Sequence, residues 1–329
     1  MNELGVVLPF WLDRPDTEAL DIAVAADQAG YSRLWIGEMA TFDAFALATA
    51  VGIRTRRLRL IVGPLAVGVR DPVTVALGAS SVHTLTGRPV EVALGASSPA
   101  IVAGWHDRPW PGAAGRMRES VRALRPMLAG ERVDFAGSQV RTRGFRLRAG
   151  LPGGRLTVAA FGPAMTRVAA EEADRVVLNL VTPEQVAAVR ATVTGVAQRA
   201  GRAAPEIAVW VAAALDPGPA ALRQLAGQLA VYLAPPGYGE MFIELGFGEL
   251  VRKARAGARR AELVAAIPVE LLAAVCAIGS AEQITARVAR YHDAGAEHVG
   301  IVPATAEDPA GRAVLTALAP TAVPGGAAR

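Results

Sequence analysis

Two titratable side chains each follow a short apolar run that is typical of a buried strand. Glu38 stands one residue past one such run, and His106 lies in the segment that follows another. A carboxyl group against apolar residues can hold a proton at a higher pH than usual, and an imidazole exchanges one near neutral pH. Glu38 and His106 are therefore the candidate catalytic residues, for proton transfer to or from a substrate. Glu38 or Asp43 could instead cap the helix that follows, for which Asp43 is the better candidate, and His106 could anchor its own loop.

The segment 158–166 has the pattern of an anion-binding turn, in which an apolar run leads through glycine and proline into a helical stretch. Proline fits the first turn of a helix, and the first backbone amides of a helix have no intrahelical acceptor. These amides, with one threonine hydroxyl, would face an anion at the positive end of the helix dipole. Taken alone, the pattern is common in strand-to-helix turns. The residues expected at this site are Gly162, Pro163, Ala164, Met165 and Thr166.

Small residues stand at the ends of two further apolar runs. An X-Pro bond adopts the cis form at small cost, and a cis bond between Gly63 and Pro64 would form a platform for a flat ligand. Ser97 and Ser98 offer hydroxyls suited to a phosphate or a sugar, although Ser98 followed by proline is also typical of an ordinary turn.

Four aromatic side chains lie in the same predicted loops and could form a substrate pocket: Phe10, Trp11, Trp105 and Trp110. An aromatic wall would stack on a planar ring. The alternative is structural, with the first pair as an aromatic plug and the two later tryptophans as anchors of their loop.

These side chains meet only if the strands that carry them are parallel. Apolar runs alternate with helical stretches rich in Ala, Leu and Arg, which is typical of parallel strands with crossover helices. Eight strands can close a barrel, whose active site is built from the loops after the strands. The sequence therefore predicts the α/β class and a (β/α)8 TIM barrel. The strands are predicted at 4–8, 33–36, 58–63, 90–94, 156–160, 175–180, 206–213 and 298–302.

Two segments exceed the simple repeat. Residues from about 130 to 155 are rich in glycine and predict short extra strands before strand five, and 215–279 predict extra helices between strands seven and eight. We interpret both as insertions in a single barrel domain, 1–329. The Ala-, Gly- and Pro-rich tail 320–329 is expected to be poorly ordered.

Composition excludes several classes of function. The net charge is +4, but the basic residues are arginines spread along the chain, with Lys253 the only lysine, so a nucleic-acid partner is not indicated. The single cysteine, Cys276, fits a reducing compartment, and no leader or long apolar segment is visible, so we expect a cytoplasmic protein without membrane contact. The sequence lacks a G-x-G-x-x-G or Walker A loop, a G-x-S-x-G elbow and a zinc-binding histidine helix, and we expect no metal.

Several motifs resemble the bacterial-luciferase-like monooxygenase superfamily, and in particular its deazaflavin (coenzyme F420) dependent oxidoreductases. The resemblance extends over nearly the whole chain. It is carried by 30–31 with 35–38, 59–72, 85–89, 94–99, 162–165 with 173–174, and 294–299.

The resemblance implies a barrel that binds one flavin or deazaflavin at its mouth. In this family a cis peptide at the end of strand three supports the ring, which corresponds to Gly63–Pro64 with Ala66 nearby, and the loop matching Gly162 to Thr166 holds the phosphate-bearing tail. F420-dependent dehydrogenases of the family often carry a histidine after strand two and a glutamate after strand four. Here Glu38 takes the first place, and serines followed by His106 take the second.

The main hypothesis is an F420-dependent oxidoreductase that transfers a hydride to or from a small organic substrate with a C=C, C=N or alcohol/carbonyl group. An FMN-dependent monooxygenase of the same family is the first alternative, since the two ring systems have nearly the same shape. A barrel that binds without catalysis is the second. The resemblance also implies a homodimer.

Overall fold

Eight parallel strands close into a barrel, and their order along the chain is also their order around it. The computed structural model describes residues 3–151 and 153–320. The strands are numbered along the chain, and three of them lie outside the barrel: β5 Val133–Ala136, β6 Arg141–Phe145 and β10 Ala277–Gly279. The barrel strands are β1 Glu3–Val7, β2 Arg33–Ile36, β3 Arg59–Ala66, β4 Val90–Gly95, β7 Leu156–Ala159, β8 Arg175–Asn179, β9 Glu206–Leu215 and β11 His298–Pro303.

Helices cover the outside of the barrel. Some of them begin at a capping side chain: Asp43 accepts from the amides of Phe45 and Ala46, each at 3.0 Å. Ser280 likewise accepts from the Gln283 amide. The outer helices are α1 Glu18–Gln28, α2 Ala44–Arg54, α3 Pro72–Thr86, α4 Ala113–Leu128, α5 Gly162–Glu172, α6 Pro183–Arg199, α12 Ala281–Asp293 and α13 Arg312–Ala317.

The two insertions occupy the predicted positions. The first forms an antiparallel hairpin of β5 Val133–Ala136 and β6 Arg141–Phe145. The second consists of five helices and a strand that extends the sheet at the end of β9. Its elements are α7 Pro219–Tyr232, α8 Tyr238–Glu244, α9 Gly248–Arg255, α10 Arg260–Ala266, α11 Val269–Val275 and β10 Ala277–Gly279.

The barrel is filled at its amino-terminal end by polar side chains that pair with one another. Arg175 is fully buried and donates to the Glu91 carboxylate at 2.7 Å, and the indole of Trp35 donates to Nε2 of His298 at 2.9 Å. Burial, followed by the charge of Arg175, lowers the pKa of His298 well below its usual value. His298 therefore belongs to the core, and a ligand must approach from the opposite, carboxyl-terminal end of the strands.

The eight predicted barrel strands are confirmed, as is the fold class. A π-helix, Ala100–Trp105, lies between β4 and α4 where we predicted only a loop. The expected disorder of the tail concerns residues that, beyond Pro320, lie outside the described part of the chain. Among the described helices, none has the length and hydropathy needed to cross a membrane.

Candidate functional site

The floor of the candidate site is made of small residues on β3 and β4. The Gly63–Pro64 bond is cis, as predicted. Gly63 has φ +123°, and a Cβ there would overlap the carbonyl oxygen of Ala93 on the neighbouring strand. A Cβ at Gly95 would approach the Pro64 ring to 2.9 Å. Glycine is therefore required at both positions for the two strand ends to pack closely.

The serines after β4 have different surroundings. Ser97 is exposed and has φ +67°. Ser98 forms the turn that we weighed as an alternative, since its carbonyl accepts from the amides of Ile101 and Val102 at the start of the π-helix. Ala66, the last residue of β3, is half-buried, and its carbonyl accepts from Val69 and Arg70.

Helix α5 begins beside this floor, because β4 pairs with β7 and α5 follows β7 directly. Among the described residues, no side chain caps the first turn of α5, and no atom lies within 4 Å of the place where a Cβ would stand on Gly162. Pro163 and Ala164 are exposed, whereas Met165 is buried. The amino terminus of α5 is thus open to an anion.

Thr166 does not have the predicted orientation. It is buried, and its hydroxyl donates to the Gly162 carbonyl at 3.0 Å, so it is not available as a donor to an anion. The hydroxyl has a partner one helical turn back, as is usual for threonine within a helix.

Glu38 is held in an ion pair rather than facing the mouth as a free acid. Arg70 donates to both carboxylate oxygens of Glu38, with Nε at 2.8 Å from Oε2, and it also pairs with Asp43. The hydrogen bonds that Arg70 donates to Glu38 and then to Asp43 raise its pKa, against its burial. The observed contacts make Glu38 a positioning residue that connects the loops after β2 and β3.

The loop after the π-helix is open to solvent. His106 is exposed, and Trp105 keeps 59% of its surface accessible, whereas Trp110 is half-buried. These side chains lie beyond the carboxyl end of β4, on the face where we predicted them. An exposed indole of this size is available to contact a ligand.

The two aromatic residues after β1 differ in role. Trp11 is buried, and its indole donates to the carbonyl of Pro303 on β11 at 3.0 Å. These contacts favour the structural alternative for Trp11, an aromatic plug, over a wall of the substrate pocket. Phe10 is half-buried and lies close to Gly37, where a Cβ would meet its ring at 3.0 Å. Phe10 is therefore the member of the pair that can face a ligand.

An aromatic cluster that the sequence did not predict lies beside α5. Phe161, just before α5, packs on Tyr238 with ring centroids 4.2 Å apart, and Tyr232 packs on the same ring at 4.6 Å. Asn179, at the end of β8, donates to the Tyr238 hydroxyl at 3.2 Å. Burial raises the pKa of Tyr238 well above its usual value. These partners are far apart in the chain, and the only local signal was the pair of tyrosines in the insertion.

The described residues contain no group of three or more His, Cys, Asp or Glu side chains suited to a metal ion.

Comparisons with known proteins place these features in context. The family model described as luciferase-like monooxygenase matches residues 7–298. A Mycobacterium tuberculosis protein, provisionally named a coenzyme F420-dependent oxidoreductase, is 23% identical and aligns with 93% of this chain and 96% of its own length.

Two solved structures share the fold. The coenzyme F420-dependent tetrahydromethanopterin reductase of Methanopyrus kandleri superposes with a TM-score of 0.82 at 17% identity, covering 96% of this chain and 98% of that one. The oxygenating constituent of 3,6-diketocamphane monooxygenase of Pseudomonas putida, in complex with FMN, has a TM-score of 0.69 at 16% identity and covers 97% of each chain.

Proposed function

The chain belongs to the luciferase-like monooxygenase family, and we propose that it is an oxidoreductase that uses coenzyme F420 to transfer a hydride to or from a small organic substrate. The observation that carries the proposal is the adjacency of two features. A flat floor of Gly63, Pro64 and Gly95 suits a planar ring, and the open first turn of α5 beside it suits the phosphate of the same ligand.

The residues present fit such a cofactor. The cofactor would supply the hydride chemistry, and the protein would supply binding, orientation and a proton. We propose that Gly63, Pro64 and Ala66 support the ring, that Ser97 and Ser98 lie along its edge, and that the amides of α5 hold the phosphate. Of the α5 residues, Gly162, Pro163 and Ala164 are the exposed ones.

The comparisons with known proteins support the proposal of a deazaflavin rather than FMN as the cofactor. The Mycobacterium tuberculosis relative, which aligns over nearly the full length of both chains, carries F420 in its name, and so does the reductase with the TM-score of 0.82. The FMN-bound monooxygenase superposes with the lower value of 0.69.

We propose His106 as the proton donor or acceptor. It is exposed in a loop on the carboxyl-terminal face, whereas both oxygens of Glu38 are paired with Arg70. For Glu38, proton transfer stays a prediction, against which the ion pair argues. Phe10, Trp105 and Trp110 are the proposed walls of the substrate pocket.

We also propose that the protein is a cytoplasmic homodimer. Exposed apolar side chains on α2 and α3, Ile53, Leu77 and Leu85, would be covered by a second copy. The one cysteine, Cys276, is buried and suits a reducing compartment. Light scattering coupled to size-exclusion chromatography measures the mass, and a monomer at working concentrations contradicts the dimer.

The test of function is a side-by-side fluorescence titration of the purified protein with oxidised F420 and with FMN. Tight binding of F420 alone supports hydride transfer and directs the search to reducible C=C and C=N compounds and alcohols. A preference for FMN overturns the F420 assignment in favour of an oxygen-dependent enzyme. Binding of neither supports a barrel without this catalysis.

A further inference from the structure

A cavity of about 210 Å³ lies outside the barrel, between the loop after β3, helix α4 and the β5–β6 hairpin. The hairpin folds back along α4, because Glu119 on that helix accepts hydrogen bonds from the amides of Ser138, Gln139 and Val140 at the hairpin tip. The cavity therefore exists only because the first insertion covers this part of the helical layer.

Positive charge dominates the cavity wall. Arg108 comes from the loop after the π-helix, Arg116 from the first turns of α4 and Arg141 from β6. Within residues 3–151 and 153–320, none of these three guanidinium groups lies within 4.0 Å of a carboxylate. Arg116 donates one hydrogen bond to Gln139 and Arg141 one to the Gly137 carbonyl, which leaves most of their N–H groups free for another acceptor.

The wall also contains a polar atom without a partner. Ser120, one turn after Arg116, lines the cavity and keeps only 3% of its surface exposed. In the described part of the chain its Oγ has no hydrogen-bond partner. A buried hydroxyl without a partner is unfavourable, so such a group usually marks a place where a polar ligand or a water binds.

The acidic group on the wall, Asp71, keeps its charge but, in the described part of the chain, forms no ion pair with these arginines. Asp71 accepts from the amides of Val73 and Thr74 and caps α3. The fourth arginine on the wall, Arg70, is paired with Glu38 and Asp43. The surplus of charge therefore belongs to Arg108, Arg116 and Arg141.

We propose that this cavity is a binding site for an oxyanion, a phosphate or carboxylate group, held by Arg108, Arg116 and Arg141 with Ser120 as a further donor. Guanidinium groups match the geometry of both anions, and the volume exceeds the roughly 30 Å³ share of a single water in the liquid. The site is distinct from the α5 amino terminus, because none of its lining residues belongs to α5. The oxyanion is either a free ion or an anionic group of a larger ligand that also enters the barrel mouth.

The test uses inorganic phosphate as the probe, in isothermal titration calorimetry at low ionic strength. Wild-type protein is compared with Arg116→Gln, Arg141→Gln and Ser120→Ala. Arg143→Gln is the matched control, since Arg143 is an exposed arginine of the same strand that does not line the cavity. We expect a saturable site in wild type, about tenfold weaker binding in each Arg→Gln variant, a smaller loss in Ser120→Ala and no change in the control.

A second arm identifies the source of the oxyanion. F420 affinity is measured on the same variants by fluorescence titration. If the arginine variants weaken phosphate alone, the site takes a free anion. If they weaken F420 by about tenfold while the control does not, the site takes an anionic group of that cofactor.

The proposal is overturned if neither phosphate nor F420 affinity differs between wild type and the two arginine variants. Phosphate that binds wild type and both variants equally has bound elsewhere, and when F420 affinity is unchanged as well this outcome counts against the site. Because the phosphate arm involves no cofactor, it stands or falls independently of the proposed F420 chemistry.

Discussion

Arg70 and Glu38, 32 residues apart in sequence, join the loop after β3 to the loop after β2 through a two-point ion pair. The Arg70 guanidinium also lies over the ring of Phe45, 5.2 Å from its centroid. The planar guanidinium group of arginine can make these contacts at the same time, whereas the ammonium group of lysine cannot. The pair fixes the loop that follows β3, the strand that carries the Gly63–Pro64 floor.

Replacing Arg70 by lysine tests this positioning role. We expect Arg70→Lys to lower the free energy of unfolding by about 1–2 kcal/mol and to weaken F420 binding, because the charge remains but the two-point contact is lost. Urea denaturation and fluorescence titration measure the two effects. Arg259→Lys is the control, since the Arg259–Glu262 pair is exposed, and it should change stability by less than about 0.5 kcal/mol. Equal effects in both variants would contradict a special role for Arg70.

His106→Asn is the direct test of the proposed proton transfer. The change should lower kcat by about 10²–10⁴-fold once a substrate is known, with unchanged folding because the side chain is exposed. The variant should also lose one limb of the pH–rate profile. Glu38→Gln serves as the comparison: if it alone removes that limb, the proton is transferred by Glu38 and the His106 assignment is wrong.

A bulky side chain in place of Gly162 should weaken cofactor binding by more than its effect on stability explains. Gly162 has φ +75°, so Gly162→Leu strains the backbone by roughly 1–2 kcal/mol and also fills the space in front of the α5 amides. We expect at least a tenfold loss of F420 affinity, on the order of 1.4 kcal/mol.

Gly201→Leu is the matched control for this experiment. Gly201 has φ +67°, follows the end of α6, and likewise has no described atom within 4 Å of its Cβ position. It should lose similar stability and keep its F420 affinity. Unchanged F420 affinity in Gly162→Leu would contradict the proposal that α5 binds the phosphate.

The hairpin that covers the basic cavity should depend on pH through Glu119. Burial would raise the pKa of this carboxyl, but hydrogen bonds from Ser138 and the amides of Gln139 and Val140 outweigh it and lower the pKa to about 2. The folded pKa lies below the unfolded value, so the contribution to stability is present above about pH 4.5 and is lost as the pH falls towards 2.

Glu119→Gln should therefore be less stable than wild type by about 1 kcal/mol at pH 7, and the difference should shrink between pH 5 and about 2. Thermal unfolding at several pH values measures it. A difference that stays constant over this range would show that the charge of Glu119 does not hold the hairpin.

The barrel could be predicted from the sequence because its signals are local. Each strand is a short apolar run, and caps such as Asp43 and turns such as Gly63–Pro64 act within a few residues. The contacts that decide the roles of side chains are not local. The Trp11 indole donates to the carbonyl of Pro303, 292 residues away, and Asn179 donates to Tyr238, which lies in the second insertion.

The same reason explains why the basic cavity was missed. Arg116 and Arg141 are 25 positions apart and read as ordinary surface arginines in a chain rich in that residue. Only the return of the hairpin along α4, held by Glu119, brings them to one wall. Sequence periodicity does not predict where the hairpin packs, because its position depends on tertiary contacts rather than on residue spacing.

The sealed amino-terminal end of the barrel has a consequence for kinetics. In the described part of the chain the buried side chains of Trp35, Arg175 and Glu91 fill that end, so under the proposed function both ligands exchange through the opposite opening. A cofactor lying on the Gly63–Pro64 floor is then covered by the substrate, which must bind second and leave first. Steady-state kinetics would follow a compulsory order, in which the converted cofactor inhibits competitively against the incoming cofactor, the product inhibits in mixed fashion against the substrate, and cofactor release is blocked while product stays bound.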